Sequence, residues 1–185
     1  MTRLRILSLL LTLAGLSCSP REAALRIEMR SSADRARLGR GWSGFEGHDS
    51  PKPFHFCWVE GTVADIDVGV LPRTGTVRLR IVAWPFAPEG LPPQRMQLWL
   101  NGLFLEERPM PPGPADTAWS FPAGLLQQEG NRLRLVFARA NRPRDTVPGS
   151  TDGRELSAAV ELVEIAVRRS SPSLRVTAPA ARSSR

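Results

Sequence analysis

The sequence predicts an all-β, antiparallel sandwich or barrel built as one domain. Three observations carry this expectation. Apolar and polar residues alternate over short runs from Leu25 to Phe137, the period of a strand with one buried face. Turn-forming residues separate the runs, with 15 Gly and 17 Pro among 185 residues. The length holds one ordinary core, and 42% hydrophobic with 23% charged residues excludes a wholly disordered chain.

Leu25, Ile27 and Met29 alternate with Arg26, Glu28 and Arg30 and mark a first strand. A polar, Arg-rich stretch runs on to Arg40. Phe54 to Val59 is apolar and aromatic, and Val63 to Val70 alternates around Asp65 and Asp67. Val77, Leu79, Ile81 and Ala83 form the next face. Met96 to Leu100 and Leu103 to Leu105 flank Asn101-Gly102, a hairpin signal, because both residues tolerate the positive φ of a type I′ turn. A strand is expected over Ala118 to Phe121. Another follows Glu129-Gly130-Asn131 through Leu133, Leu135 and Phe137. The Pro-rich segments 85–93 and 109–114 are loops. Residues 156–167 fit two patterns. Asp152 with Glu155 makes a capping box before the helical spacing Leu156, Val160, Val163, Val167, while Val163, Ile165 and Val167 also share a strand face.

The net charge of +7 is unevenly spread. Residues 1–40 and 168–185 each carry +5, whereas 41–167 carry −3. The folded part is therefore mildly acidic, and 24 Arg against one Lys is a compositional bias. Nucleic acid is not the expected partner.

The N-terminus reads as an export signal over 1–17. Arg3 and Arg5 precede eleven apolar-rich residues, Ile6 to Leu16, too few to span a bilayer. Ser17-Cys18 resembles a bacterial lipobox, which implies lipidation of Cys18 and membrane attachment through a lipid anchor. Ordinary cleavage before Cys18 is the alternative, giving a periplasmic or secreted protein. An Arg-rich segment, 18–40, includes the first strand, the sandwich occupies 41–167, and 168–185 is expected to be a disordered basic tail. The second cysteine, Cys57, lies in an apolar run and reads as a small buried residue.

The order of short motifs from Trp42 to Ile165, about two-thirds of the chain, resembles a β-jelly-roll domain of the galactose-binding-like type. Such domains are accessory regions of bacterial surface-polysaccharide and sulfatase-related proteins. The matching pieces begin with Gly41-Trp42-Ser43-Gly44, Glu46, Trp58-Val59-Glu60-Gly61 and Pro93-Gln94-Arg95. Leu100-Asn101-Gly102, Trp119, Gly130-Asn131-Arg132-Leu133 and Pro148 to Arg154 follow. The resemblance implies that 156–167 is a strand returning beside the first. It carries no catalytic residues.

Gly39, Gly41 and Gly44 match the spacing of a dinucleotide fingerprint, but an Arg-rich loop precedes them and prolines follow, so the strand and helix which that chemistry needs are missing. Asp65 and Asp67 lie two apart on a strand, pointing both carboxylates to one face, where structural Ca²⁺ is the alternative to a solvated surface. Ser43, His48 and Asp49 have the residue types of a hydrolytic triad without its nucleophile elbow, and the two histidines, His48 and His55, read as loop residues. Glu46 and Arg154 are candidates for an ion pair pinning the N-terminal loop, or for hydrogen bonding to a sugar hydroxyl. Of five Trp, Trp58 reads as core, whereas Trp84 and Trp99 fall out of phase with their aliphatic neighbours. On one concave face they would make a glycan platform.

The expected function is a non-catalytic exported module of the cell envelope, binding glycan or serving polysaccharide handling. A structural or protein-interaction domain docking an envelope protein is the alternative. A hydrolase would need a pocket joining Asp65, Asp67 and His55.

Overall fold

A computed structural model describes residues 23–168. The expected signal peptide, Cys18 and the tail from 169 onward lie outside the described residues. In chain order the elements are β1 (Ala23–Glu28), α1 (Ser32–Arg35), β2 (Trp42–His48), β3 (Phe54–Glu60), β4 (Val63–Gly69) and β5 (Thr76–Pro85). Then come β6 (Arg95–Leu100), β7 (Leu103–Pro109), β8 (Ala115–Pro122), β9 (Asn131–Phe137), α2 (Pro143–Thr146) and β10 (Leu156–Arg168). The strands form two antiparallel sheets, a jelly-roll sandwich as the sequence predicts.

One sheet has the order β2-β3-β10-β5-β8, with β1 also paired to β10. The other has the order β4-β9-β6-β7. The 13-residue β10 is the spine of the larger sheet. Along one edge it pairs with β5 throughout, and along the other with β3 near Leu156–Val160 and β1 over Leu162–Val167. The closing segment thus lies beside the first strand. Its helical spacing is overridden because Val160, Val163, Ile165 and Val167 all face the other sheet and are buried. Asp152 makes no helix cap; its Oδ1 accepts the Arg154 N–H at 2.9 Å in a turn before the strand.

The alternation seen in the sequence supplies the core. Cys57, Val59, Val77, Leu79 and Ile81 from the larger sheet meet Ala64, Ile66, Met96, Leu98, Leu133 and Leu135 from the smaller one. Two core-facing indoles, Trp42 and Trp119, join them. The Asn101-Gly102 hairpin has the positive φ values of 52° and 84° that a type I′ turn requires. β2 has no counterpart in the sequence reading. With two glycines in Trp42–His48, it shows no apolar period and lies at a sheet edge, where a strand needs only one partner.

The fingerprint glycines serve this packing. Gly41 has φ 83°, and a Cβ there would stand 1.9 Å from the Val63 carbonyl oxygen. Gly39 donates its N–H to Asp65 O at 2.9 Å. The segment is pressed against β4, with an edge strand rather than a helix after it.

Candidate functional site

On a strand with the core on one side, the residues between core positions face outward. In β3 the core positions are Cys57 and Val59, so Phe54, Phe56, Trp58 and Glu60 share the outer face of the larger sheet. Trp58 therefore lies outside the core, contrary to the sequence expectation. Both faces of Phe54–Val59 are apolar, so local sequence does not mark which one turns inward. In β5 the residue between buried Ala83 and Pro85 is Trp84, which faces outward as expected.

Register brings these residues together. Ala159 of β10 is paired with Trp58 on one side and Trp84 on the other. Its small, fully buried side chain lets the flanking aromatics close over it. The Phe54 and Trp84 rings lie 5.5 Å apart at 23°, and Phe56 meets Trp84 edge-on at 5.3 Å. Trp58 contacts Phe56 at 5.6 Å and Phe86 at 6.0 Å. All five rings are half-buried, forming a continuous aromatic shelf that also faces solvent.

A charged cluster borders the shelf. Glu46 of β2 pairs across the strands with Phe56, which puts its carboxylate on the same face. Arg154 Nη1 donates to Glu46 Oε1 at 2.6 Å, and its Nη2 donates to Asp152 Oδ2 at 2.7 Å. Glu60 stands 4.0 Å away on the shelf side. Hydrogen bonds first to Asp152 and then to Glu46 raise the Arg154 pKa further above the arginine range. One guanidinium thus faces three carboxylates, and oxygens of Glu46 and Glu60 remain to accept hydrogen bonds.

Trp99 is elsewhere. It lies on β6 of the four-stranded sheet between the core positions Leu98 and Leu100, facing away from the larger sheet. The single platform of Trp84 and Trp99 expected from the sequence does not form, because strand-to-sheet assignment is not written in local alternation. The Trp99 indole N–H donates to Gln97 Oε1 at 3.1 Å, and its ring meets Phe104 at 5.3 Å.

The aspartate pair is on one face of β4, but Asp65 is held by arginines. Arg134 Nε and Nη2 donate to it at 2.6 and 3.2 Å, and Arg40 Nε at 3.1 Å. Hydrogen bonding to Arg134 is the main cause holding the Asp65 carboxyl below its ordinary range. Asp67 Oδ1 instead accepts the Gly69 N–H at 2.9 Å. The Asp65 half of the expected calcium pair is thus already neutralised, and no group of three or more His, Cys, Asp or Glu with metal-holding placement occurs among the described residues.

The histidines lie on strands rather than in loops. His55 Nε2 is 2.8 Å from Asp49 Oδ1, and His48 packs against Phe54. Ser43 is buried, donating to Gly44 O at 2.7 Å and accepting the Trp58 N–H at 2.9 Å, so the hydrolytic trio is not assembled. His55 and the two aspartates sit on different sheets and share no pocket.

No protein-family model matches the chain, and no curated protein matches it in sequence. Its structure is similar to several solved ones. The C-terminal CBM6 of LamC, a marine laminarinase from Zobellia galactanivorans, aligns with TM-score 0.46 and 12% identity over 77% of this chain and 98% of that one. The carbohydrate-binding module CBM6cm-2 of Cellvibrio mixtus lichenase 5A, solved with cellotriose, aligns with TM-score 0.46 and 8% identity over 80% and 98%. Dimeric latent PorU from Porphyromonas gingivalis gives TM-score 0.46 and 12% identity over 80% of this chain but only 13% of that much longer one. At such identities the likeness is one of fold.

Proposed function

We propose that the protein is a non-catalytic, exported module that binds a neutral glycan on the outer face of its larger sheet. The observation that carries this reading is the placement of five half-buried aromatic rings beside the Glu46–Arg154–Asp152 cluster. A pyranose ring has an apolar face of C–H groups, which suits the negative π-face of Trp58 or Trp84. Its rim of hydroxyls suits charged acceptors, and Glu46 and Glu60 supply them within reach of the same sheet face. The chain would act at the cell envelope, delivered by its N-terminal signal.

The test is a glycan-array screen of the full chain against Trp58→Ala and Trp84→Ala, each checked for folding by circular dichroism. Saturable binding to neutral glycans, lost in either folded variant, is the expected result. Absence of binding across envelope glycans would remove this reading and direct attention to a protein partner on the same shelf.

A further inference from the structure

We propose that the outer face of the four-stranded sheet is a second ligand site, which takes the acidic group of a charged sugar, a carboxylate or sulfate ester, on Arg132 beside the Trp99 indole. The proposal extends the glycan reading and rests on it only for the class of ligand. The site is a hollow of about 380 Å³ lined by Trp99, Asn101, Gly102, Gln127, Arg132 and Arg134. Arg132 and Arg134 occupy outward positions of β9, and Arg134 is in register with Trp99. Indole and guanidinium groups therefore lie side by side on one sheet face.

Arg132 is exposed, and among the described residues its side chain makes no hydrogen bond or ion pair; its charge acts on Asp65 only through a weaker attraction that adds to that of Arg134 and Arg40. Its neighbours show why it is available. Arg134 and Arg40 already saturate Asp65, and Asp67 turns back to the Gly69 N–H. Arg132 also lines the adjoining hollow with Arg37 and Arg40. Four arginines thus face two aspartates, leaving an excess of positive charge: Arg37 reaches only the Asp67 carbonyl, at 3.5 Å, and the Arg132 fork is open. A planar fork of N–H donors matches a carboxylate or sulfate oxygen pair.

The walls are fixed in advance. Asn131, fully buried, donates to Gly69 O at 2.9 Å and Gln127 O at 3.1 Å, and its Oδ1 accepts from Gln127 N and Asn101 Nδ2. One amide therefore ties the 127–131 loop, the 101–102 hairpin and the end of β4 together. The bond from Trp99 Nε1 to Gln97 sets the indole plane in the same way. Little ordering remains to be done on binding. The two sheets thus differ in chemistry: an acidic cluster borders the shelf, whereas a basic basin borders Trp99.

The experiment titrates the full chain with an oligogalacturonate, a sulfated oligosaccharide and a neutral gluco-oligosaccharide, by calorimetry and amide-resolved NMR. An acidic probe is expected to bind and to shift the amides around Trp99 and Asn101. Arg132→Gln should weaken that binding about tenfold, and added salt should weaken it further. Trp84→Ala should leave it unchanged. The acidic arm that binds identifies carboxylate or sulfate. The Arg132 side chain loses no hydrogen bond or ion pair, only its attraction to Asp65, so the variant is expected to fold, as circular dichroism checks, and Trp99→Ala gives an independent second reading. Absence of acidic binding, binding that survives Arg132→Gln, or equal affinity for inorganic sulfate or a single-stranded oligonucleotide would overturn the proposal. Failure of the shelf reading would show separately, as neutral binding that is absent or indifferent to Trp84→Ala.

Discussion

Arg154 Nη1 and Glu46 Oε1 stand 2.6 Å apart although 108 residues separate them in the chain. The contact ties the turn entering β10 to the edge strand β2. Arg154→Met would remove it and leave Glu46 and Asp152 without their shared cation. Both partners are about one-third exposed, so solvent screening holds the loss to about 1 kcal/mol. A melting midpoint lower by about 3 °C is the expected reading. Arg154→Lys should recover only part of it, because an ammonium does not fork between two carboxylates.

Acid sensitivity follows from Asp65. Its carboxyl is held below the ordinary value of 3.8, chiefly by hydrogen bonds from Arg134. A folded-state pKa below the unfolded one contributes stability that is complete above the unfolded value and is lost as pH falls through the folded one. Asp65→Asn should therefore cost about 2 kcal/mol at neutral pH. Its deficit relative to the parent chain should shrink as the pH drops below 3.8. Urea midpoints across that range check both statements. Added Ca²⁺ or a chelator should leave the parent midpoint where it is.

Gly41→Ala tests the role assigned to the fingerprint glycines. The left-handed φ and the approach of 1.9 Å to the Val63 oxygen act together, so a loss of about 3 kcal/mol is expected in chemical denaturation. Gly102→Ala is the control. It has a similar φ of 84°, but its Cβ would meet open space, and about 1 kcal/mol is expected.

Burial pushes the Cys57 thiol up to about 12. At pH 8 almost none is thiolate, the reactive form. Iodoacetamide should leave the peptide containing Cys57 unmodified in the native protein and alkylate it in urea, as read by peptide mass mapping. Native alkylation would mean that the sheets open readily around β3.

The strands that pack on one face only were legible. Val77, Leu79 and Ile81, or Leu133 and Leu135, alternate cleanly because water and core make opposite demands on neighbouring residues. Phe54 to Val59 gives no such contrast, since its outer face is aromatic, and nothing local shows that Trp58 faces outward. Local alternation marks Trp84 and Trp99 each as outward-facing, yet their separation onto two sheets depends on strand order, a long-range property. The pairing of Glu46 with Arg154 follows from the family resemblance, not from local pattern. Arg132 was invisible as a binding residue because its availability depends on how its neighbours Arg40 and Arg134 are occupied.

Every partner of β10 precedes it in the chain. β1, β3 and β5 each find an edge of the larger sheet only when β10 is present, and without it β2-β3 and β5-β8 are separate pairs. The contacts that close this sheet span most of the described chain, which favours slow folding. During synthesis the ribosome would have released residues 156–168 before the larger sheet had any route to completion. Until then the growing chain would expose the aromatics of β3 and β5 together with unpaired strand edges, the condition in which chaperone binding is most needed.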